Sequence, residues 1–500
     1  MSKDKKWNVC QEKIAKYTYW IKIIALEILM VVFGFGNSVR NSYTDNLLYR
    51  RICNEYLNND TYLCFAIQNK GNLTKKYFEI KDVLDFATTH TFVMIGMRIL
   101  AEFFSSCFLC SWSDKYGRKL SLILAFLGGN LDVSSFFFRN IPMVYFMWSI
   151  YLTTIFSGFF GSFICIFAMT YSYVSDHSSL NYRTLKFTTV DVSYMLGEII
   201  GVRFFENVPM KDILRDSFLY VISVRIFSIM WIWFFFEDRN FDGKGHQTSK
   251  KFKTLFMISN TKECFASIGK WRKKCGREQM RLIIFSAMPI MVAYGLIEGV
   301  RMTNSHHSML FINIINYKRV TEYFAIYTCL SEIVVILFSQ YIYRISDAVL
   351  GVLGFINLYL YFSLAAFSSN NLTFIVALSL APLKAFAIIA LRSSYSKIIG
   401  EDERGKAFLF LSTSEVSSTL FGYFLRVKLH FVLGATFPCL PELIICTFLI
   451  IPFCTFMFQM MSINTGHLFQ LCYRKVKIKS RQPSFSESEE SMHSESTSVR

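Results

Sequence analysis

The sequence lacks the patterns that mark most enzymes and metalloproteins. No nucleophile stands with a partner histidine in the polar segments, and no glycine-rich phosphate loop occurs. The 13 cysteines have no spacing typical of a metal site, and most lie in apolar runs, where an inert buried thiol is expected. The sequence therefore argues against an enzyme and predicts neither a metal nor an organic cofactor.

Charged residues are also scarce, at 18% of the chain, and a series of long apolar runs contains very few of them. Hydrophobic residues make up 53% of the 500 residues, aromatic residues make up 17%, and the mean hydropathy is +0.35. Soluble globular domains do not have this composition. Because the runs are long enough to cross a hydrocarbon core of about 30 Å as helices, the sequence predicts an all-α polytopic membrane protein.

Twelve of these runs are predicted to span the membrane. They lie at about residues 21–38, 86–110, 120–138, 143–173, 185–205, 217–236, 282–303, 321–343, 348–367, 372–395, 407–430 and 442–461. The first run has no small-residue cleavage site after it, so it is expected to remain as a helix. The predicted divisions of the chain are an N-terminus (1–20), a first half (21–236), a linker (237–281), a second half (282–461) and a disordered tail (462–500).

The formal net charge of +17 is concentrated in three polar segments, which are the N-terminus, the linker and residues 474–481. An even number of spans puts all three on one side of the membrane. The positive-inside rule makes that side the cytosol, with anionic lipid as the partner rather than nucleic acid. The polar loop 39–85 then faces the lumen or the outside, where its sequons at Asn59 and Asn72 are glycosylation sites.

A charged turn at residues 111–119, Ser-Trp-Ser-Asp-Lys-Tyr-Gly-Arg-Lys, separates the second and third runs. Gly117 permits a tight reversal with positive φ, and Asp114 is suited to accept backbone N–H bonds at a helix start. Arg118 offers donors to carbonyls and lipid headgroups. Taken alone, the turn is either an anchor that sets topology or a functional element.

The pattern Asp-x-x-Gly-Arg-Lys in this turn resembles the loop between helices 2 and 3 of major facilitator superfamily transporters. Three further stretches narrow the resemblance to solute carrier family 46, the proton-coupled folate transporter family, over nearly all twelve predicted helices. They are Tyr49-Arg50-Arg51-Ile52, Tyr173-Val174-Ser175-Asp176 with Arg183-Thr184, and Leu391-Arg392-Ser393-Ser394-Tyr395-Ser396-Lys397.

The resemblance implies the major facilitator fold, with two six-helix halves around a central cavity. It also implies secondary active transport of an organic anion, often driven by a proton gradient. Substrate classes in the family include folates, muropeptides, cyclic dinucleotides and steroid conjugates, and members act at plasma or endolysosomal membranes. In such a transport cycle, Asp114, Gly117 and Arg118 are expected to bias the outward-facing state. The oligomeric state stays open.

Ionisable residues within apolar runs are costly and indicate a cavity or a partner. Arg392 matches an arginine that the folate-transporting member uses in function, and it suits an anionic substrate or a carboxylate, with headgroup snorkelling as the alternative. Asp191 aligns with a glutamate of the fifth helix, where a carboxylate could carry the coupling proton. Glu198 lies two turns further on, on nearly the same helix face.

Other charged residues in the runs complete the candidates. Lys384 is expected to face the cavity, and Glu298 lies in the seventh run, which often borders the substrate path in this superfamily. Pairs are expected between Arg98 and Glu102, and between Glu298 and Arg301. Asp176 is expected to cap the fourth helix or to pair with Arg183. The remaining candidates are Glu27, Glu332 and Glu415.

The chain departs from the family pattern at two places. Tyr294 stands where the folate transporter has a histidine, and tyrosine does not titrate near neutral pH. The loop after the seventh run has no cysteine to pair with the first outer loop, so Cys53 and Cys64 pair with each other or stay free. Two alternatives to a proton-coupled carrier therefore stay open, a facilitative carrier and a transport-dead receptor or scaffold.

Overall fold

The computed structural model describes most of the predicted membrane domain. The described residues are 24–44, 47–48, 51–52, 55, 77–134, 142–207, 210–238, 254–270, 272, 276–311, 330, 333, 345–367, 371–380, 385–433 and 440–465. Throughout these ranges the regular structure is helical and contains no strand, which confirms the predicted all-α class.

Seven helices form the described part of the first half. They are α1 Ile24–Thr44, α2 Tyr77–Tyr116, α3 Lys119–Val133, α4 Met143–Gly158, α5 Ser162–His177, α6 Arg183–Asn207 and α7 Met210–Phe235. The linker and the second half contribute eight more described helices. They are α8 Ile258–Gly269, α9 Gly276–Phe311, α10 Asp347–Ala366, α11 Asn371–Leu380, α12 Ala385–Ile398, α13 Arg404–Leu433, α14 Leu440–Phe448 and α15 Ile450–Thr465.

These helices overlap eleven of the twelve predicted spans, and the predicted span 321–343 lies almost entirely outside the described residues. Five described segments are long and apolar enough to cross a membrane. They are Ile24–Thr44, Thr89–Tyr116, Met143–His177, Gly276–Ile297 and Asp347–Ala366. Their outward surfaces carry large apolar side chains such as Leu100, Trp148 and Leu353, as expected for helices that face lipid.

The fourth predicted span is divided into α4 and α5, whereas the sequence predicts one helix there. Gly161 adopts a φ of 79° between them, a conformation that only glycine adopts readily. Ser105 Oγ donates at 2.6 Å to the carbonyl of Gly158, which also accepts the Gly161 N–H at 2.8 Å. Glu102 accepts the first free N–H groups of α5, from Phe163 and Ile164, at 3.2 Å each. The break persists in an apolar span because α2 supplies hydrogen bonds for both broken ends.

Two helix pairs, one in each half, cross with their backbones in direct contact. A Cβ added at Gly197 of α6 would overlap the carbonyl oxygen of Val31 in α1. A Cβ added at Gly422 of α13 would likewise overlap the carbonyl oxygen of Val292 in α9. Small residues permit such approach between membrane helices. The first and fifth predicted spans thus pack as the seventh and eleventh do, as expected of two repeated halves.

The linker contains a helix that the sequence analysis did not predict. Asn260, Cys264 and Ser267 of α8 are spaced four and three residues apart, so they lie on one face, and all three are buried. The opposite side exposes Ile258 and Phe265. The Asn260 amide donates to the carbonyls of residues 254 and 255 at 2.8 and 2.9 Å, which holds the start of α8 against the preceding turn.

We expect Gly422→Val to lower the melting temperature of the purified protein strongly, because its side chain would force α9 and α13 apart. Overpacking of this kind typically costs about 1–3 kcal/mol. The matched control is Gly96→Val in α2, since a Cβ at Gly96 meets nothing within 4 Å. Thermal unfolding followed by size-exclusion chromatography checks both variants. Equal melting temperatures for the two would contradict the packing described for Gly422.

Candidate functional site

A buried ionic triad joins the two halves inside the bundle. Asp191 of α6, Arg392 of α12 and Glu415 of α13 form it. Arg392 Nη1 donates to Asp191 Oδ1 at 2.6 Å. The opposite edge of the guanidinium binds Glu415 in a bidentate manner, with Nε to Oε1 and Nη2 to Oε2 both at 3.0 Å. Such paired geometry is the strong form of a charge-assisted hydrogen bond.

Burial of α12 explains why Arg392 points inward. Every residue from Ala385 to Ser393 is buried, so the helix offers this side chain no open path to lipid headgroups. Arg392 itself is 7% exposed. Its guanidinium also lies over the ring of Tyr171 in α5, with Cζ 4.6 Å from the ring centroid. The side chain therefore has polar partners on its edges and an aromatic face beneath it.

The charges of the triad do not balance when both carboxylates are ionised. One guanidinium then faces two carboxylates, which leaves one excess negative charge in a buried site. Isolated charge is costly in such surroundings, and one proton on Asp191 or Glu415 would balance it. Release of either carboxylate would also free donors of Arg392 for another anion. The arrangement is chemically able to exchange a proton and an anion at one place.

Tyr171 was not identified by the sequence analysis, because an aromatic residue in an apolar run looks like ordinary core. Its ring is fully buried, and its hydroxyl has no hydrogen-bond partner among the described residues.

A contact between α1 and α6 was also not predicted from the sequence pattern. Lys186 Nζ donates to Glu27 Oε1 at 2.7 Å, and the Thr189 hydroxyl donates to the same oxygen at 3.0 Å.

A second polar cluster closes the end of the bundle where the 111–119 turn lies, which we call the turn end. Asp114 belongs to the first half, but its carboxylate caps the start of α13 in the second half. Oδ1 accepts the backbone N–H of Gly405 at 2.7 Å, and Oδ2 accepts that of Lys406 at 3.0 Å. A carboxylate at this position satisfies free N–H groups and the positive end of the helix dipole.

Arg118 and Asp176 extend this contact between the halves. Arg118 donates through Nη1 to Asp114 Oδ1 at 2.5 Å and through Nε to Asp176 Oδ2 at 3.1 Å. The other Asp176 oxygen accepts from Arg404 Nη1 of α13 at 2.7 Å. Burial lowers the pKa of Arg118, but the Asp114 and Asp176 carboxylates outweigh burial and raise it above its ordinary value. The guanidinium therefore remains charged.

Gly117 makes the reversal after α2, with a φ of 113°. A side chain there would also meet the Asp238 carboxylate, which accepts the backbone N–H of Lys119 at 2.9 Å. The turn thus needs glycine for two reasons, its backbone conformation and the close approach of Asp238.

The expected pair between Asp176 and Arg183 does not form, so that prediction was wrong. Asp176 binds Arg118 and Arg404, whereas Arg183 Nη1 donates across the halves to the Ser396 carbonyl at 2.9 Å. Beside it, the Thr184 hydroxyl lies 3.0 Å from Asp347 Oδ1. These contacts form a second connection between the halves at the turn end.

The linker helix α8 adds a third connection there. Glu263 lies 2.7 Å from Lys115 of the first half and 3.7 Å from Lys406 of the second. Burial raises the pKa of Glu263, but Lys115, Lys406 and the Ser259 hydroxyl together outweigh it and hold the pKa below its usual range. Arg272, just after α8, pairs with Glu403 before α13 at 2.8 Å. The two halves are therefore joined at the turn end by several independent contacts.

The other predicted site residues differ in how much of each the structure describes. Tyr294 of α9 is partly buried against the core, and Glu198 lies where α6 crosses α1, away from the contacts of Arg392. The described structure includes only the backbone of Glu298. Several predictions lie outside the described residues and stay predictions. They concern Lys384, Glu332, the sequons at Asn59 and Asn72, and the cysteines Cys53 and Cys64.

No protein-family model matches the chain. Two curated relatives are the rat and mouse forms of the lysosomal proton-coupled steroid conjugate and bile acid symporter SLC46A3. The mouse protein is 20% identical over 413 residues, which cover 79% of this chain and 85% of the relative. The rat protein is 22% identical over 231 residues, so that match covers 44% of this chain and about half of the relative, 48%.

Solved structures share the fold over nearly their whole length. The human organic anion transporter MFSD10 superposes with a TM-score of 0.64 at 12% identity, covering 88% of this chain and 99% of that one. The proton:xylose symporter XylE gives 0.61 at 14% identity, covering 89% and 96%. The E. coli fucose:proton symporter FucP gives 0.58 at 14% identity, covering 87% and 98%.

These matches agree with the resemblance seen in the sequence, and they come from transporters rather than enzymes. They also fit the apolar helices of a multi-pass membrane protein. The chain thus has the fold of major facilitator superfamily transporters, and its sequence is similar over most of its length to a symporter of solute carrier family 46.

Proposed function

We propose that this transporter is a proton-coupled symporter of amphipathic organic anions that works by alternating access. The observation that carries the proposal is the Asp191–Arg392–Glu415 triad, in which one cation and two carboxylates from opposite halves meet inside the bundle. The printed names of the relatives support it, since they describe a proton-coupled symporter of steroid conjugates and bile acids and an organic anion transporter.

In this proposal Arg392 binds the anionic group of the substrate. Its guanidinium has two carboxylate partners, so loss of one leaves donors for a substrate carboxylate or sulfate. The ring of Tyr171 beneath Arg392 holds the guanidinium in position through a cation–π contact. Lys384, Glu298 and Tyr294 are proposed to line the same substrate path. A steroid conjugate, which joins a rigid apolar body to one anionic group, fits this chemistry.

Proton coupling is proposed to follow from the charge of the triad. Protonation of Asp191 removes its attraction for Arg392 and releases Nη1 to the substrate, while Glu415 keeps the other edge of the guanidinium. Proton and anion then enter together, so the net charge of the site is the same before and after binding. Glu198, two turns away on α6, is proposed as a second carboxylate on the proton path.

The turn end is proposed to be the cytosolic gate, and the structure to represent the state in which that gate is closed. Asp114 and Arg118 stabilise it by capping α13 and by linking Asp176 to that cap. Opening towards the cytosol would break these contacts together. We propose a plasma or endolysosomal membrane as the site of action, with both termini in the cytosol, and the lysosomal relative supports this.

The first test is uptake of a steroid sulfate, a bile acid, a folate, a muropeptide and a cyclic dinucleotide by cells that express the chain. We expect saturable uptake of at least one anion, with higher uptake at pH 5.5 than at pH 7.4. Arg392→Ala should abolish it, whereas Arg281→Ala, which removes an exposed arginine of α9, should leave it unchanged. Absence of any uptake at confirmed surface expression would favour the receptor or scaffold alternative.

Asp191→Asn separates coupling from binding, because the amide cannot ionise but keeps the size of the carboxylate. We expect the variant to lose the stimulation of net uptake at acidic pH while it retains exchange of labelled for unlabelled substrate. Exchange needs no net proton movement. Glu415→Gln is the matched variant on the other edge of Arg392. Acid stimulation that survives in both variants would mean that the triad does not carry the coupling proton.

Asp114→Ala tests the gate by conformation as well as by transport. Thr184, buried at the turn end between the halves, is replaced by cysteine, and its modification by a maleimide is followed by mass spectrometry. We expect Asp114→Ala to raise the labelling rate severalfold and to reduce uptake at equal surface expression. The control is Lys119→Ala, since among the described residues Lys119 bonds the Trp233 carbonyl of the first half and Asp238 of the linker, and no residue of the second half. Equal labelling in both variants would contradict the gating role.

A further inference from the structure

A second group of buried charges lies wholly inside the first half, apart from the triad and the turn end. We call it the arginine cluster. It contains Arg40 of α1, Arg98 and Glu102 of α2, Asp132 of α3 and Arg225 of α7. Three guanidinium groups therefore face two carboxylates among the described residues of the cluster. The expected Arg98–Glu102 pair is present, with Nε 3.4 Å from Oε1, but it is one part of this larger group.

Both carboxylates of the cluster already have stronger partners. Asp132 forms a close ion pair with Arg40, in which both side chains are buried. Glu102 uses its two oxygens to accept the N–H groups of Phe163 and Ile164 at the start of α5. The helix dipole there also offsets part of its charge. Neither carboxylate is left to neutralise Arg98 or Arg225 fully.

Among the described residues, the two remaining guanidinium groups, those of Arg98 and Arg225, have weaker partners than Arg40. Arg98 has only long ion-pair contacts, 3.4 Å to Glu102 and 3.8 Å to Asp132, and its buried Nε has no hydrogen-bond partner. Arg225 is 8% exposed, and the carboxylate of Asp132 beside it interacts with its guanidinium through charge, with no hydrogen bond between the two. Its charged neighbours are Asp132, Arg40 and Arg98. Buried guanidinium donors are normally satisfied, so this geometry calls for an acceptor.

Helix α3 is shaped to admit the Arg225 guanidinium. A Cβ added at Gly129 would overlap Arg225 Nη1, so the guanidinium occupies space that any other residue at 129 would fill. Asp132 lies one turn along the same helix, and Thr154 of α4 donates to its Oδ1 at 3.3 Å. The guanidinium of Arg225 therefore packs directly against the backbone of α3, beside Asp132 and the short side chain of Thr154.

We propose that the arginine cluster binds a small inorganic anion of chloride type between Arg98 and Arg225. One negative charge balances three guanidinium groups against two carboxylates, and the free N–H donors of both arginines supply the ligands. Burial of the site selects an ion over an organic anion. The bound ion would tie α2, α3 and α7 together inside the first half. The site shares no residue with the Asp191–Arg392–Glu415 triad and does not depend on the proposed substrate.

The test is thermal unfolding of the full-length protein in detergent, followed by tryptophan fluorescence. Sodium chloride replaces sodium gluconate at constant ionic strength, so only the identity of the anion changes. We expect the melting temperature to rise and saturate with chloride, and bromide to act in the same way. Identical melting temperatures in gluconate and chloride over the whole range would overturn the proposal.

Arg225→Gln is expected to remove the chloride-dependent rise, whereas Arg281→Gln, on the exposed side of α9, should keep it. A chloride response of normal size and midpoint in Arg225→Gln would overturn the assignment of the site. If that variant does not fold, Gly129→Ala is used, because its methyl group displaces the guanidinium and should move the chloride midpoint to higher concentration. An unchanged midpoint in a folded Gly129→Ala would equally count against the site.

Discussion

The central constraint on this structure is that a charge buried inside a membrane protein needs a partner close by. Arg392 meets this constraint with two carboxylates, one from each half of the bundle. Buried ion pairs of this kind contribute little net stability, because desolvation offsets most of the attraction. Such pairs respond strongly to their surroundings, because one added proton or one competing anion changes which carboxylate binds the guanidinium. The halves are thus joined at their centre by a contact that is easily changed.

Two of the contacts between the halves at the turn end also pair a buried charge with a partner, and they differ in strength. At one connection, Arg404 at the start of α13 binds Asp176 at the end of α5, and Asp114 caps α13. At the other, Arg183 at the start of α6 binds a carbonyl at the end of α12. The two connections are related as expected from repeated halves, but only the first has ionised partners on both sides. Of these two connections, the one between α2, α5 and α13 therefore has the stronger electrostatic attraction.

The arginine cluster and the triad have opposite excess charges, counted over described residues. The triad has one carboxylate more than its single guanidinium, and it lies between the halves, where a cation such as a proton restores balance. The cluster has one guanidinium more than its carboxylates, and it lies within the first half, where an anion restores balance. At both sites the difference between the numbers of guanidinium and carboxylate groups indicates the sign of the ion that would bind.

The sequence by itself determined the membrane character, the helical class and the family resemblance, because apolar length and local turn chemistry are properties of short segments. It also identified Arg392, Asp191 and the 114–118 turn as residues of interest. Only the tertiary structure decided that Glu415 completes the triad, that Tyr171 lies beneath Arg392, and that Asp176 binds Arg118 and Arg404 instead of Arg183. The break at Gly161 and the linker helix α8 also emerged only there. Helix rotation and contacts between distant segments depend on packing across the whole bundle, which no local pattern specifies.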